Sequence, residues 1–383
     1  MRTWMRVQFF LFFFSWVTFL SYWGVIFDAR GFDGAEIGLS ITVSLVTRAI
    51  AVVTLFPLAN RLWPIGTITR WLPWLCFALG LGFLPHTGLT GLLVLSAAFG
   101  VLYPTLMPLL ETTAALGAQR GALVYGPVRL WGSFGFVAGA GVNGLVARQL
   151  GNGALLPVFL LALLALALTA LSRIGDEVVA AQRSGSIGAW GPLFGHRAFM
   201  LALGICVLVQ SSHAAYYAFG ALHLERLQVD PLVIALFLML APLSEMLVFR
   251  LTAGVADRWP LAVLMLIATV GALVRWGVWV LDPTVPMLLA SQLLHGLTFG
   301  MMQVGFIQTL RRHVAPDLMV PAQGLYSALG TGAGTAVMTA IAGHFFDISP
   351  VLTFTAMVLC VVPALPAAML LARAEQRLPA PPA

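Results

Sequence analysis

Glu245, Arg275 and His295 interrupt long apolar runs of this chain, and their types suit proton exchange and anion binding. A charge at mid-bilayer depth costs about 2.5–3.5 kcal/mol on insertion scales, so one placed there has a partner or a task. Glu245 is the best proton-carrier candidate, because a partly desolvated carboxylate can exchange protons near neutral pH. Its alternative is a permanent ion pair with Arg129 or Arg275. Arg275, in Val274-Arg275-Trp276-Gly277, stays charged. It can grip a carboxylate through two hydrogen bonds or hold Glu245 ionised. His295 and His213 suit proton relay or donation to a solute, unless a buried neighbour satisfies each ring. Glu111 and Arg129 could pair as a gate, an anion anchor or a plain bridge. Arg48 either faces a solute or pairs across the interface between domains.

The elements that position these residues are membrane spans. The chain is 60% hydrophobic, only 9% charged, and has a mean hydropathy of +0.96. A soluble domain carries roughly 25% charged residues, so a membrane class is expected. Twelve apolar stretches approach the ~20 residues that cross hydrocarbon. They fall at about 5–27, 36–58, 70–86, 88–112, 126–148, 154–173, 196–220, 231–252, 261–281, 285–310, 321–344 and 350–372. The first reads as an uncleaved anchor, lacking a small-x-small cleavage site. Cys76, Cys206 and Cys360 are isolated apolar fillers, and no metal or other cofactor is expected.

There is no Lys, and all twenty basic residues are Arg. With the N-terminus inside, Arg2, Arg6, Arg61, Arg70, Arg120, Arg129, Arg173, Arg183, Arg197, Arg250, Arg258, Arg311, Arg312, Arg373 and Arg377 all fall on the cytoplasmic side. Only Arg30, Arg148 and Arg226 fall outside, which is the positive-inside pattern. Both termini of this multi-pass membrane protein are therefore expected in the cytoplasm. The net charge of +6 reports that orientation, not nucleic-acid binding.

A polar interval at 174–195 divides a first bundle (1–173) from a second (196–372), with a cytoplasmic tail at 373–383. The halves repeat weakly. Leu58-Ala59-Asn60-Arg61-Leu62-Trp63-Pro64 is echoed by Val255-Ala256-Asp257-Arg258-Trp259-Pro260. Arg48 precedes Arg61 by thirteen residues, as Glu245 precedes Arg258. Small residues crowd the fifth and eleventh spans, which predicts close helix packing. Polar stripes at helical spacing mark the first span (Ser15, Thr18, Tyr22), the fourth (Tyr103, Met107, Glu111), the seventh (Gln210, His213, Tyr217) and the tenth (Gln292, His295, Phe299, Gln303). Together they favour a wet path over helix–helix glue. Pro104 and Pro108 predict kinks. Glu225, Asp230, His344 and Asp347 read as solvated loop ends. Duplicated halves with polar mid-depth groups are the plan of an alternating-access transporter.

These features resemble the major facilitator superfamily: an all-α integral membrane fold of twelve transmembrane helices in two pseudo-symmetric six-helix bundles. Gly254-x-Ala256-Asp257-Arg258 resembles its cytoplasmic gating signature, of which Arg61 belongs to a degraded first copy. More specifically, Tyr125-Gly126-Pro127-Val128-Arg129-Leu130-Trp131-Gly132-Ser133, Ser212-His213-Ala214-Ala215-Tyr216-Tyr217, Val274-Arg275-Trp276-Gly277 and Leu294-His295-Gly296-Leu297-Thr298-Phe299 resemble the bacterial 3-phenylpropionic acid transporter family. That resemblance runs over nearly the whole chain and implies uptake of an aromatic carboxylate by proton symport.

A more distant similarity to lactose permease-type symporters is carried by Glu111 and Arg129, and by Glu245, Arg275 and His295. There Thr298 stands where a proton-carrying carboxylate is expected, which passes that role to Glu245, with His295 or His213. The implied substrate residues are Arg275, Arg129, Glu111 and Arg48, with Tyr217, Trp131, Trp23 and Phe299 for a ring. The expectation is a monomer in the lipid bilayer that moves a small organic anion with protons. A symporter of a neutral sugar or nucleoside is the alternative. A drug exporter is disfavoured because Gly139 to Gly144 lacks a proline, and no catalytic constellation suggests an enzyme.

Overall fold

The computed structural model describes residues 1–172, 191–254, 258–281, 283–315 and 318–375. Most of the linker at 174–195, part of the tail, and Asp257 of the gating motif lie outside the described residues. In lipid every backbone polar group must be satisfied within its own segment, so apolar runs become helices. Ten described helices are long and apolar enough to cross a membrane. They are α1 (Arg2–Asp28), α4 (Leu89–Gln119), α5 (Tyr125–Leu150), α6 (Asn152–Ala170), α7 (Arg197–Arg226), α8 (Pro231–Thr252), α9 (Leu261–Val280), α10 (Val285–His313), α11 (Pro321–Phe346) and α12 (Pro350–Glu375). The second and third places are filled by α2 (Gly34–Ile50, continued by Ala51–Leu55 and Phe56–Leu62) and the shorter α3 (Ile65–Leu81).

Local chemistry sets the boundaries. A capping box opens α2: Asp33 accepts from the Glu36 amide at 2.8 Å, and Glu36 accepts from the Asp33 amide at 3.1 Å. The third span begins five residues earlier than the hydropathy pattern predicts. Pro64 caps its start and Gly82 its end, ahead of Pro85. In α4, Tyr103–Thr105 tighten into a 3-10 turn at Pro104, where a kink is expected.

Two compact units emerge. The first contains residues 1–187 with 216–239, and the second residues 188–215 with 240–383. Inside the first, α5 lies against α1 along the expected small-residue face. A Cβ at Gly135 would run into the Phe10 carbonyl, so only glycine permits this approach. The 216–239 segment is held by polar contacts. Arg226 donates to Asp28 at 2.7 Å, Arg148 lies 3.3 Å from Asp230, and Asn152 donates to Glu225 at 3.1 Å. Asp230 is an exposed loop-end group, as expected, that pairs with Arg148, whereas Glu225 is half-buried against Asn152. In the second unit Gly334 of α11 packs on Ser211 of α7, and Gln210 donates to the Tyr326 hydroxyl at 2.9 Å.

Candidate functional site

The second unit gathers the titratable residues into one hydrogen-bonded chain. Arg275 Nη1 donates to His295 Nδ1 at 2.7 Å. A guanidinium only donates, so Nδ1 must be the accepting nitrogen of a neutral ring. The ring proton therefore sits on Nε2, 2.8 Å from Glu245 Oε1. That carboxylate is the acceptor, and the bond is charge-assisted. On the other side Arg275 donates to Gln292 Oε1 at 3.0 Å and to the Thr298 hydroxyl at 3.3 Å. His213 Nδ1 donates to the Val209 carbonyl at 2.9 Å, which leaves Nε2 to accept from Thr298 at 3.0 Å.

Both rings thus complete their bonds while neutral, and Arg275 balances Glu245. Arg275 is fully buried, whereas the Glu245 side chain is 22% exposed. The Glu245 end of the chain is thus the more exposed one.

Helix packing makes this chain possible. A Cβ on Gly296 of α10 would run into the Ser244 carbonyl of α8, so the missing side chain brings Glu245 and His295 within reach. Ser244 reinforces the crossing by donating to the Gln292 carbonyl at 3.1 Å. Residues Gly296–Met301 form a π-helical stretch, an irregularity common at functional sites. Phe299 stacks on His295 with ring centroids 5.6 Å apart.

The first unit carries its own pair of cationic groups. Arg129 Nε donates to Glu111 Oε1 at 2.7 Å, and the Tyr125 hydroxyl donates to the other carboxylate oxygen. Phe13 lies under the Arg129 guanidinium at 4.3 Å, and Arg129 keeps 28% exposure. Arg48 is half-buried with its guanidinium 5.8 Å from the Trp16 ring centroid. Among the described residues no carboxylate pairs with Arg48. Its numerical match to Glu245 is not a packing match. In the first unit Gly100 of α4 meets the Ser44 carbonyl of α2, as Gly296 meets Ser244 in the second. Arg48 lies four residues beyond its crossing and Glu245 one, a difference of about 4.5 Å along a helix.

The sequence profile of the MFS_1 like family matches residues 3–356. The chain belongs to this family. It is 26% identical over 365 residues to the probable 3-phenylpropionic acid transporter of Escherichia coli (strain K12), covering 94% of this chain and 96% of that protein. It is 23% identical over 366 residues to the nucleoside permease NupG of Escherichia coli (strain K12), covering 87% and 84%. The crystal structure of nucleoside transporter NupG superposes with a TM-score of 0.78 at 19% identity over 99% of both chains, which shows the shared fold. This MFS_1 like protein is a multi-pass membrane transporter with the major facilitator fold, and not an enzyme.

The remaining expected site residues of this MFS_1 like transporter have varied places. Trp23 is buried among Phe27, Phe83, Phe99 and Phe159, so its ring is packed rather than open to a solute. Trp131 is exposed and meets Phe10 and Phe134 edge-on. Tyr217 is half-buried beside Tyr216. Gly254 ends α8 with φ +75°, a conformation suited to glycine, and Arg258 and Arg61 are exposed. Two members of the polar stripe of α1 join helices: Ser15 bonds the Tyr103 hydroxyl at 2.7 Å, and Asn143 donates to Thr18 at 2.8 Å. Sequence reasoning missed Trp16, although Phe12, Trp16 and Phe19 repeat at helical spacing. It also left Gln292 and Thr298 out of the site, although both hold Arg275.

Proposed function

We propose that this transporter imports a small aromatic carboxylate together with a proton by alternating access. The observation that carries the anion reading is Arg48, a cation on a membrane-spanning helix with a tryptophan face beside it and no described acidic partner. A carboxylate would neutralise it, and an attached ring could share the Trp16 surface. Arg275 serves differently. Its guanidinium is buried and directed at His295, Gln292 and Thr298, so it holds the coupling chain in place. Arg129 remains a second, Glu111-bound anchor for the anion.

Glu245 is the proton carrier in this reading. His295 and His213 keep the chain connected in neutral form rather than carry the proton themselves. In this reading the anion is carried only while Glu245 is protonated, because a transporter that moves an uncompensated charge works against the membrane potential. Protonation of Glu245 and binding of the substrate therefore favour each other. One proton with one monovalent anion moves no net charge. Each uncompensated charge would cost or gain about 2.3 kcal/mol per 100 mV. The arginine distribution supports an inner-membrane setting with both termini cytoplasmic, and the protein works as a monomer. The relative named a probable 3-phenylpropionic acid transporter supports phenylpropionate-like acids as the first substrates to test.

A neutral-solute symporter is the second reading, favoured by similarity to a nucleoside permease. Uptake of labelled 3-phenylpropionate into proteoliposomes under an inward proton gradient separates the two. Competition by benzoate-type acids but not by uridine, and loss of uptake in Arg48→Gln with partial retention in Arg48→Lys, are expected. Competition by uridine alone, with Arg48→Gln unaffected, would overturn the anion reading.

A further inference from the structure

The faces that carry Glu245 and His295 continue past them. On α8, Phe249 and Thr252 follow Glu245 at helical spacing, and on α10 every fourth residue after His295 gives Phe299, Gln303, Ile307 and Arg311. Beyond Phe299 these rows line an open cleft of about 320 Å³ within the second unit, bordered among others by Phe249, Thr252, Gln303, Ile307, Gln308 and Arg311. Its volume falls in the range of small-molecule sites, about 300–1,000 Å³. Phe249 lies four residues from Glu245 and Arg311 sixteen from His295, which places the cleft roughly 6–24 Å along the helices from the coupling chain.

The lining is chemically two-sided. Arg311 supplies a guanidinium, Gln303 and Gln308 supply amides, and Phe249 and Ile307 supply exposed apolar surface. That combination matches a carboxylate with an apolar body, the class proposed for the central site.

We propose that this cleft is a second binding site for the transported organic anion, a staging post at the arginine-rich end of α8 and α10. The carboxylate is held by Arg311 with help from Gln303, and the ring lies on Phe249 and Ile307. The site gives the acid a weak holding position before release. This proposal rests on the organic-anion reading and adds a location that neither the central residues nor the relatives' names assign.

Equilibrium dialysis of the purified full-length protein against labelled 3-phenylpropionate counts the sites. Saturable binding of two acids per chain is expected, one lost in Arg48→Gln and the other in Arg311→Gln. Circular dichroism verifies that each variant is folded. Gln303→Ala should weaken the second class about five-fold or more, which keeps the test usable if Arg311→Gln unfolds. The neutral amide of the acid should occupy neither site. One acid per chain, lost in Arg48→Gln and retained in Arg311→Gln and Gln303→Ala, would overturn the staging site and leave the central reading intact. Loss of a site in Arg311→Gln with none lost in Arg48→Gln would instead overturn the central reading. Displacement of the second acid by phosphatidylglycerol in mixed micelles would assign the cleft to lipid and overturn the proposal.

Discussion

His295 Nε2 donates to Glu245 Oε1 at 2.8 Å while His295 Nδ1 accepts from Arg275 at 2.7 Å. The ring is therefore a neutral, directional link between a cation and a carboxylate. Protonating Glu245 exchanges a charge-assisted bond for an ordinary one of about half the strength.

A neutral link of fixed direction can be replaced by another group with one donor and one acceptor. His295→Gln should keep a substantial part of proton-driven uptake, whereas His295→Ala should lose it by ten-fold or more. Initial rates of labelled acid uptake in proteoliposomes measure both. Equal loss in the two variants would show that the imidazole itself carries the proton.

The crossing of α8 and α10 depends on the missing side chain at Gly296. Gly296→Ala should destabilise the protein by about 1–3 kcal/mol through overpacking and should separate Glu245 from His295. Thermal unfolding in detergent tests the first effect and accumulation the second. Gly277→Ala, where a Cβ meets nothing within 4 Å, should leave both unchanged.

Glu375 accepts from the backbone amides of Leu261 and Ala262 at 3.1 and 3.0 Å, so it caps the start of α9 from the end of α12. Glu375→Ala should cost about 0.5–2 kcal/mol, the usual loss for a helix cap. Unfolding temperature should fall while the apparent KM for uptake stays unchanged.

Coupling through a carboxylate fixes the sign of the pH response. Uptake at a constant gradient should fall as external pH rises, because the protonated form of Glu245 becomes scarce outside. Glu245→Gln mimics that protonated form permanently, so its exchange rate should be flat over the same pH range. A wild-type rate independent of pH would remove the proton from the cycle.

Much of this was readable from residue type and spacing. Glu245, Arg275 and His295 stand out because charges inside apolar runs are rare and costly, and helical spacing brings Gln292 and His295 onto one face. The packing of α5 on α1 follows from its glycines. Other features needed coordinates. The start of α3 depends on Pro64 acting as a cap, which a hydropathy pattern does not weigh. Ser15 and Thr18 form the same kind of stripe whether they meet water or a neighbouring helix, and Tyr103 and Asn143 decide the matter. The directions of the imidazole bonds follow from contacts between α7, α8, α9 and α10. The Trp16 face beside Arg48 likewise joins α1 to α2, distant enough in sequence that spacing alone could not pair them.

Accumulation and exchange in proteoliposomes separate the role of Glu245 most directly. Loaded with unlabelled 3-phenylpropionate and given no gradient, Glu245→Gln vesicles should exchange internal for external labelled acid at close to the wild-type rate. Under an inward proton gradient they should fail to concentrate the acid above its external level, while wild-type vesicles concentrate it. Gradient-driven accumulation by Glu245→Gln equal to wild type would contradict proton coupling at this carboxylate.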